Sequence, residues 1–238
     1  MTIGEVFTAL GYVAGLLVYL FVARRRRLLT EGMLVVAFWA LFGGFIGAKF
    51  GEFVAEGWPI SLSPASILDP SVGGRALFGG LVGGWLAASF AKRRMGITRP
   101  TGDLFAYGLS AGEAVGRIGC YFNGCCYGKP TNFPVAIYQH GAWRHPTQLY
   151  SSAAAFIIFY ILVLMRKHVS KEGDLFKIYL LLFGITRFGL EFLREGKPAL
   201  AGLTAMQWFC LDLIVVGAIG SYLGLRKVRT LAPNHLGT

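Results

Sequence analysis

Residues Gly116 to Gly128 read G-R-I-G-C-Y-F-N-G-C-C-Y-G, and Arg144 to Tyr150 read R-H-P-T-Q-L-Y. Both segments lie at the edges of long apolar stretches, and between them they gather arginine, asparagine, three cysteines and histidine. A guanidinium stays charged and offers a planar fork that grips phosphate through paired hydrogen bonds. A cysteine becomes a nucleophile as its thiolate, and a histidine carries protons near neutrality. At a membrane boundary, that set points to chemistry on a lipid headgroup.

Ionisable residues inside the apolar stretches add to this. Glu113 and Arg117 are four apart, as are Arg187 and Glu191, with Arg194 a turn further on; Lys49 and Glu52 are three apart. Helical spacing places each pair on one face. Charges within a bilayer are costly and turn toward a partner or a cavity. Any one pair alone reads equally as a self-neutralising strut between helices. Three of them at the same depth, beside the cysteine and histidine motifs, read as a phosphate site at headgroup level.

The elements that hold these residues are set by composition. Of the 238 residues, 55% are hydrophobic and only 15% charged, and mean hydropathy is +0.56. Such a chain is built for lipid. Apolar runs near 4–23, 31–54, 74–91, 103–121, 147–165, 174–193 and 205–225 predict an all-α integral membrane protein with about seven transmembrane helices. Basic residues cluster after alternate runs: Arg24 to Arg27, then Lys92, Arg93, Arg94 and Arg99, then Arg166, Lys167 and Lys171, then Arg226, Lys227 and Arg229. The positive-inside rule puts that side in the cytoplasm, with the N-terminus outside and the C-terminus inside. The net charge of +11 is therefore topological, and no nucleic-acid partner is expected. The first run has its arginines after the apolar stretch, the reverse of a signal peptide, and is expected to stay as a helix.

Residues 1–230 read as a single transmembrane domain with outer-face loops near 55–73 and 122–146, and residues 231–238 as a flexible tail. Gly43, Gly47 and Gly51, and likewise Gly79 with Gly83 and Gly80 with Gly84, recur every fourth residue. That spacing predicts close packing of the second and third helices.

Three readings of the cysteines stay open. A disulfide from Cys120 to Cys125 or Cys126 would brace the loop on an oxidising face. One of them, such as Cys125, could instead be a nucleophile with its thiolate favoured by Arg117. A metal centre with His145 is the third, but the C-x-x-x-x-C-C spacing matches no standard zinc pattern. No metal and no cofactor is therefore expected. Cys210, alone in the last run, reads as a small core residue.

Taken together, these segments resemble the prolipoprotein diacylglyceryl transferase family, whose members transfer diacylglycerol from phosphatidylglycerol to the lipobox cysteine of a lipoprotein precursor. The family's G-R-x-G-N-F-x-N-x-E-x-x-G is similar to the segment from Gly116 to Gly128, and its H-P-S-Q-L-Y-E to His145 through Ser151. Its R-F-x-x-E-F-x-R is matched by Arg187, Phe188, Glu191, Phe192 and Arg194, and its L-T-x-G-Q more weakly by Leu203, Thr204 and Gln207. The resemblance implies a multi-pass enzyme of the bacterial inner membrane that takes a phospholipid donor and a lipoprotein precursor. Arg117, Arg187, Glu191, His145 and Cys125 are its implied catalytic residues. Glu113, Cys120, Asn123, Gln148, Tyr150 and Arg194 are implied to bind substrate. This chain departs from the family on the acceptor side. Phe78 stands where the family's S-F-H-G-G has histidine, Cys120 and Cys125 replace the asparagine and glutamate of the first motif, and Ser151 replaces the closing glutamate of the second. Those losses keep two other classes in view, a non-catalytic phospholipid-binding paralogue and a cysteine-dependent redox membrane protein.

Overall fold

A computed structural model describes the backbone of residues 2–56, 76–169, 171–196 and 200–231. Its helices are α1 (Ile3–Arg25), α2 (Glu31–Glu56), α3 (Ala76–Arg94), α4 (Gly102–Phe122), α5 (Thr147–Met165), α6 (Asp174–Leu193) and α7 (Ala205–Leu231). A short antiparallel hairpin, β1 (Ile137–Gln139) and β2 (Ala142–Arg144), precedes α5 and pairs Tyr138 with Trp143. The helices follow the apolar runs to within a few residues. The hairpin gives the 122–146 loop a regular element of its own. The 55–73 segment, the side chain of Phe78, the side chain of Glu52 in its expected pair with Lys49, and most of the tail lie outside the described residues.

Among the described residues, α1, α2 up to Gly51, α5 and the first part of α7 are long and apolar enough to cross a membrane. Two of the remaining helices are interrupted by ionisable groups: Asp103, Glu113 and Arg117 on α4, and Asp174, Lys177, Arg187 and Glu191 on α6. Those two helices face inward, and the more apolar ones shield them. Phe21, Phe38, Trp85, Phe156 and Val216 on the surrounding helices are all exposed, as lipid-facing residues are.

Helices α4, α5 and α6 pack on one another, while α1 lies on α4, α2 on α3 and α7 on α6. The central core is Ala106, Tyr107, Ile158, Leu162, Leu175, Tyr179, Leu180 and Phe183. Tyr107 also donates its hydroxyl to the Leu162 carbonyl at 3.2 Å, so that the phenol buried there keeps a partner. Small residues set how closely the backbones approach. A Cβ on Gly47 would overlap the Gly79 carbonyl, as the four-residue glycine spacing predicts. The α1–α4 contact uses the same device: a Cβ on Gly15 would fall 2.8 Å from the Gly108 carbonyl oxygen, and one on Gly11 would fall 2.9 Å from that of Gly112.

The basic end of the bundle is tied together by Asp103. Its carboxylate accepts from the Phe176 backbone N–H at 3.1 Å, satisfying a donor in the first turn of α6, and lies 3.6 Å from Arg26 of α1. With their N-termini joined there, α4 and α6 run side by side and bring their C-terminal turns together at the opposite end.

Candidate active site

That opposite end gathers the arginines. Arg117, on the inner face of α4, donates from Nε and Nη2 to Glu113 Oε1, each at 3.1 Å. Arg187, on α6, lies 3.0 Å from Glu191 Oε2, and Arg194 lies 3.8 Å from the same oxygen. Arg117, Arg187 and Glu191 are buried. Arg187 lies within electrostatic reach of Arg117 and Glu113, so the two helical pairs form one cluster. Glu191 is further positioned by Thr204, whose hydroxyl donates to Oε1 at 3.3 Å.

The cluster is not satisfied by the protein alone. Arg187 Nε and Nη2 and Glu191 Oε2 are buried without a hydrogen-bond partner, because the Arg187–Glu191 pair is close but poorly aligned. Buried donors left unspent are rare in native proteins and call for a ligand or a function. A small cleft of about 10 Å³, room for roughly one water molecule, opens beside them between α4, α5 and α6. Glu113, Arg187, Ser151 and Thr186 supply its polar lining, and Ile158 and Phe183 are among its apolar residues. Its lining sets a guanidinium, which suits phosphate, beside hydrocarbon.

The cysteine loop is folded against this end. Gly124 and Cys126 both adopt left-handed backbone, at φ 66° and 60°, so the chain reverses over the last turn of α4. The Cys125 N–H donates to the Cys120 carbonyl at 3.2 Å. From α5, Thr147 Oγ1 donates to the Cys126 carbonyl and Gln148 Nε2 to the Cys125 carbonyl, both at 2.7 Å. The loop is also stitched to the end of α6. The Lys129 N–H donates to the Leu193 carbonyl at 2.8 Å, and the Glu195 N–H to the Tyr127 carbonyl at 3.3 Å. Arg144 lies over the Tyr127 ring, donates to the Gly128 carbonyl at 3.2 Å and pairs with Glu195.

Not every expected headgroup ligand faces the cleft. Gln148 is fully buried, and its amide nitrogen is committed to Cys125 and to Gln139 Oε1 at 3.3 Å, so it braces the loop. Asn123 caps α4 and accepts from the Thr2 hydroxyl at 3.4 Å, beside the start of α1. His145 packs between Phe133 and Tyr150, each ring centroid 6.2 Å away, and its buried Nδ1 has no partner. Ser151, in place of the family's glutamate, lines the cleft while its hydroxyl bonds back to the Thr147 carbonyl at 2.8 Å.

The disulfide, one of the three open readings of the cysteines, is not formed. Cys120, Cys125 and Cys126 are free thiols, with their sulfurs all within 4.8 Å of one another. Hydrogen bonding to Cys120 and Cys126, with burial, pushes the Cys125 thiol up. Hydrogen bonds from Cys120 and Cys125 push Cys126 down against the effect of burial, and Arg194 and Arg117 add to the shift. Within this set the surroundings favour the thiolate at Cys126 more than at Cys125. Cys210 is fully buried on α7, as expected of a core residue.

Arg144 and Thr147 lie in the segment from Arg144 to Tyr150 but carry no role read from the sequence, and Glu195 lies outside the motifs. Their role depends on contacts across as many as 51 positions, which no local pattern signals. Thr204 and Gln207 carried a local signal, S/T-x-x-Q. Each donates a backbone N–H to the other's side chain, at 2.9 and 3.2 Å, in a reciprocal cap at the start of α7.

Residues 5–223 match the family model described as prolipoprotein diacylglyceryl transferase. The chain is 30% identical to the phosphatidylglycerol–prolipoprotein diacylglyceryl transferase of Finegoldia magna, over 90% of this chain and 87% of that relative. Identity to the enzyme of the same name from Clostridioides difficile is 32%, over 93% and 90% of the two chains. For that of Campylobacter lari it is 32%, over 92% and 88%. With the match running over residues 5–223, nearly end to end, the chain belongs to the prolipoprotein diacylglyceryl transferase family.

Proposed function

We infer that this protein is a membrane-embedded transferase that moves the diacylglyceryl group of phosphatidylglycerol onto the lipobox cysteine of a prolipoprotein. The observation that carries the reading is Arg187, buried beside Arg117 with donors unspent at the polar part of an amphipathic cleft. The two guanidiniums bind the donor phosphate, and the acyl chains extend from there along the apolar outer faces of the helices. The acceptor sulfur attacks the glyceryl carbon that bears the phosphate ester. A C–S bond forms, the C–O bond breaks, and its electron pair leaves on glycerol phosphate. Arg117 and Arg187 stabilise the charge growing on that leaving group. Glu113 and Glu191 position them, and Arg194 adds positive charge at the rim.

His145, with Nδ1 unpartnered and Tyr150 against its ring, is the proton acceptor for the acceptor thiol. It takes over the role left by the family histidine that Phe78 replaces. All seven helices span the membrane as a single domain over residues 1–230, with the N-terminus outside, the C-terminus in the cytoplasm and the arginine cluster at the outer leaflet. The protein is placed in the bacterial inner membrane. Buried charges on α4 and α6 lower those helices' hydropathy but lie inside the bundle, which supports spanning by all seven.

The test is incubation of the purified protein with labelled phosphatidylglycerol and a lipobox peptide. A thioether-linked diacylglyceryl peptide is the expected product. Phospholipid held tightly with no product would replace this reading with that of a phospholipid-binding paralogue.

A further inference from the structure

Three thiols converge at the end of α4, and the fold is arranged to make them do so. Cys120 lies in the last turn of the helix, and left-handed backbone at Gly124 and Cys126 turns the chain back over it. In extended chain the side chains of adjacent residues point to opposite sides. Left-handed backbone at Cys126 breaks that alternation and brings both neighbouring sulfurs to the same place. Such backbone is unfavourable for a residue with a Cβ and persists where surrounding contacts hold it. Here Thr147 and Gln148 hold it, by grasping the carbonyls of Cys126 and Cys125.

The resulting sulfur triangle has the dimensions of a metal site. A zinc–sulfur bond of about 2.3 Å in tetrahedral geometry separates two ligand sulfurs by about 3.8 Å. The three sulfurs lie within 4.8 Å of one another, so rotation about side-chain bonds closes the difference. Thiolates select soft cations such as zinc over magnesium or calcium. A divalent cation with three thiolates carries a net charge of −1, which the neighbouring guanidiniums of Arg117 and Arg194 offset. Three protein ligands leave a fourth position open, as sites that act on a substrate do.

We propose that Cys120, Cys125 and Cys126 bind one divalent cation of the zinc class, whose open fourth position takes the thiol of the acceptor peptide. The identity of the fourth ligand rests on the transferase reading above; the three-thiolate site does not. Bound there, the acceptor thiol loses its proton to His145 or solvent and is held as a thiolate. Its sulfur lone pair then forms the C–S bond while the C–O pair leaves on glycerol phosphate, with no oxidant or reductant consumed. Arg117 joins the two halves of the site, since it borders the cysteines and pairs with the cleft residue Glu113.

The test uses Co²⁺, whose thiolate charge-transfer and ligand-field bands report coordination directly. The full-length protein, reduced and metal-free in detergent without added phospholipid, is titrated with Co²⁺. One ion per chain with tetrahedral thiolate bands is expected. Cys120→Ser, Cys125→Ser and Cys126→Ser each weaken binding by at least about 100-fold, more than loss of an outer-shell partner costs. Cys210→Ser leaves it unchanged. To guard against unfolded variants, alkylation of the wild-type protein is mapped with and without Zn²⁺. Protection of all three thiols by Zn²⁺ supports the site. A lipobox peptide with cysteine shifts the cobalt bands, and its serine counterpart does not. Absence of thiolate bands, equal alkylation with and without Zn²⁺, or a disulfide among the three in protein isolated without reductant overturns the metal site. Bands unmoved by the cysteine peptide overturn the fourth-position assignment. Because cobalt is read without phospholipid, a protein that binds metal but transfers nothing keeps the site and loses the transferase reading.

Discussion

Replacing Arg187 by glutamine separates binding of the donor phosphate from support of the bundle. Arg187 is 4% exposed, and its Nε and Nη2 are unspent within the protein. Two charge-assisted hydrogen bonds to phosphate at about 1.5–2 kcal/mol each contribute about 3–4 kcal/mol. At 1.4 kcal/mol per decade, Arg187→Gln lowers kcat/KM for transfer by about 100- to 1000-fold. The substitution also strands Glu191, 7% exposed, with only the more distant Arg194 at 3.8 Å. Breaking a buried pair on one side costs about 3 kcal/mol of stability. The double variant Arg187→Gln with Glu191→Gln removes the stranded charge and recovers most of that stability, while transfer stays low. Transfer is measured with labelled phosphatidylglycerol at matched folded fraction, and stability by thermal unfolding in detergent. Transfer within threefold of wild type in the single variant would refute the phosphate assignment. Recovery of transfer along with stability in the double variant would show that Arg187 is only a strut.

Three further outcomes follow from the packing. Gln148→Leu removes the donor that holds the Cys125 carbonyl at 2.7 Å; it lowers stability by about 1–3 kcal/mol and speeds maleimide labelling of the cysteine loop, read by mass spectrometry. Gly47→Leu drives a side chain into the Gly79 backbone, separates α2 from α3 and lowers the unfolding temperature, whereas Gly189→Ala, where a Cβ meets nothing within 4 Å, leaves it unchanged. Thr204→Ala removes the cap of α7 and a hydrogen bond to Glu191; it costs about 1 kcal/mol in unfolding measurements and lowers transfer less than Arg187→Gln does.

The helices were legible because a bilayer leaves few options. Apolar runs near 20 residues long must be helical, and their ends in the structure follow the sequence estimates closely. The Glu113–Arg117 and Arg187–Glu191 pairs were legible for a related reason: four-residue spacing on a helix fixes a shared face. Which residues face the cleft was harder to read. Gln148 and Asn123 lie in the motifs that carry the resemblance, yet one holds a loop carbonyl and the other caps a helix beside Thr2. Their partners are 23 and 121 positions away, so pattern alone could not assign them. The convergence of the cysteines was hidden for a local reason. Nothing in a cysteine's identity announces left-handed backbone at Cys126, and without that turn the C-x-x-x-x-C-C spacing leaves bridge, nucleophile and metal centre open. The α1–α4 contact shows the same limit, since Gly11 and Gly15 gain meaning only once Gly108 and Gly112 are opposite them.

The central claim is that the arginine cluster holds a phospholipid while the glyceryl carbon passes to sulfur. The most direct measurement quantifies glycerol phosphate and lipidated peptide in one reaction, with cysteine and serine versions of the lipobox peptide as acceptors. The account predicts equal amounts of the two products with the cysteine peptide and neither with the serine peptide. Glycerol phosphate released without lipidated peptide, or at the same rate with either acceptor, would contradict it.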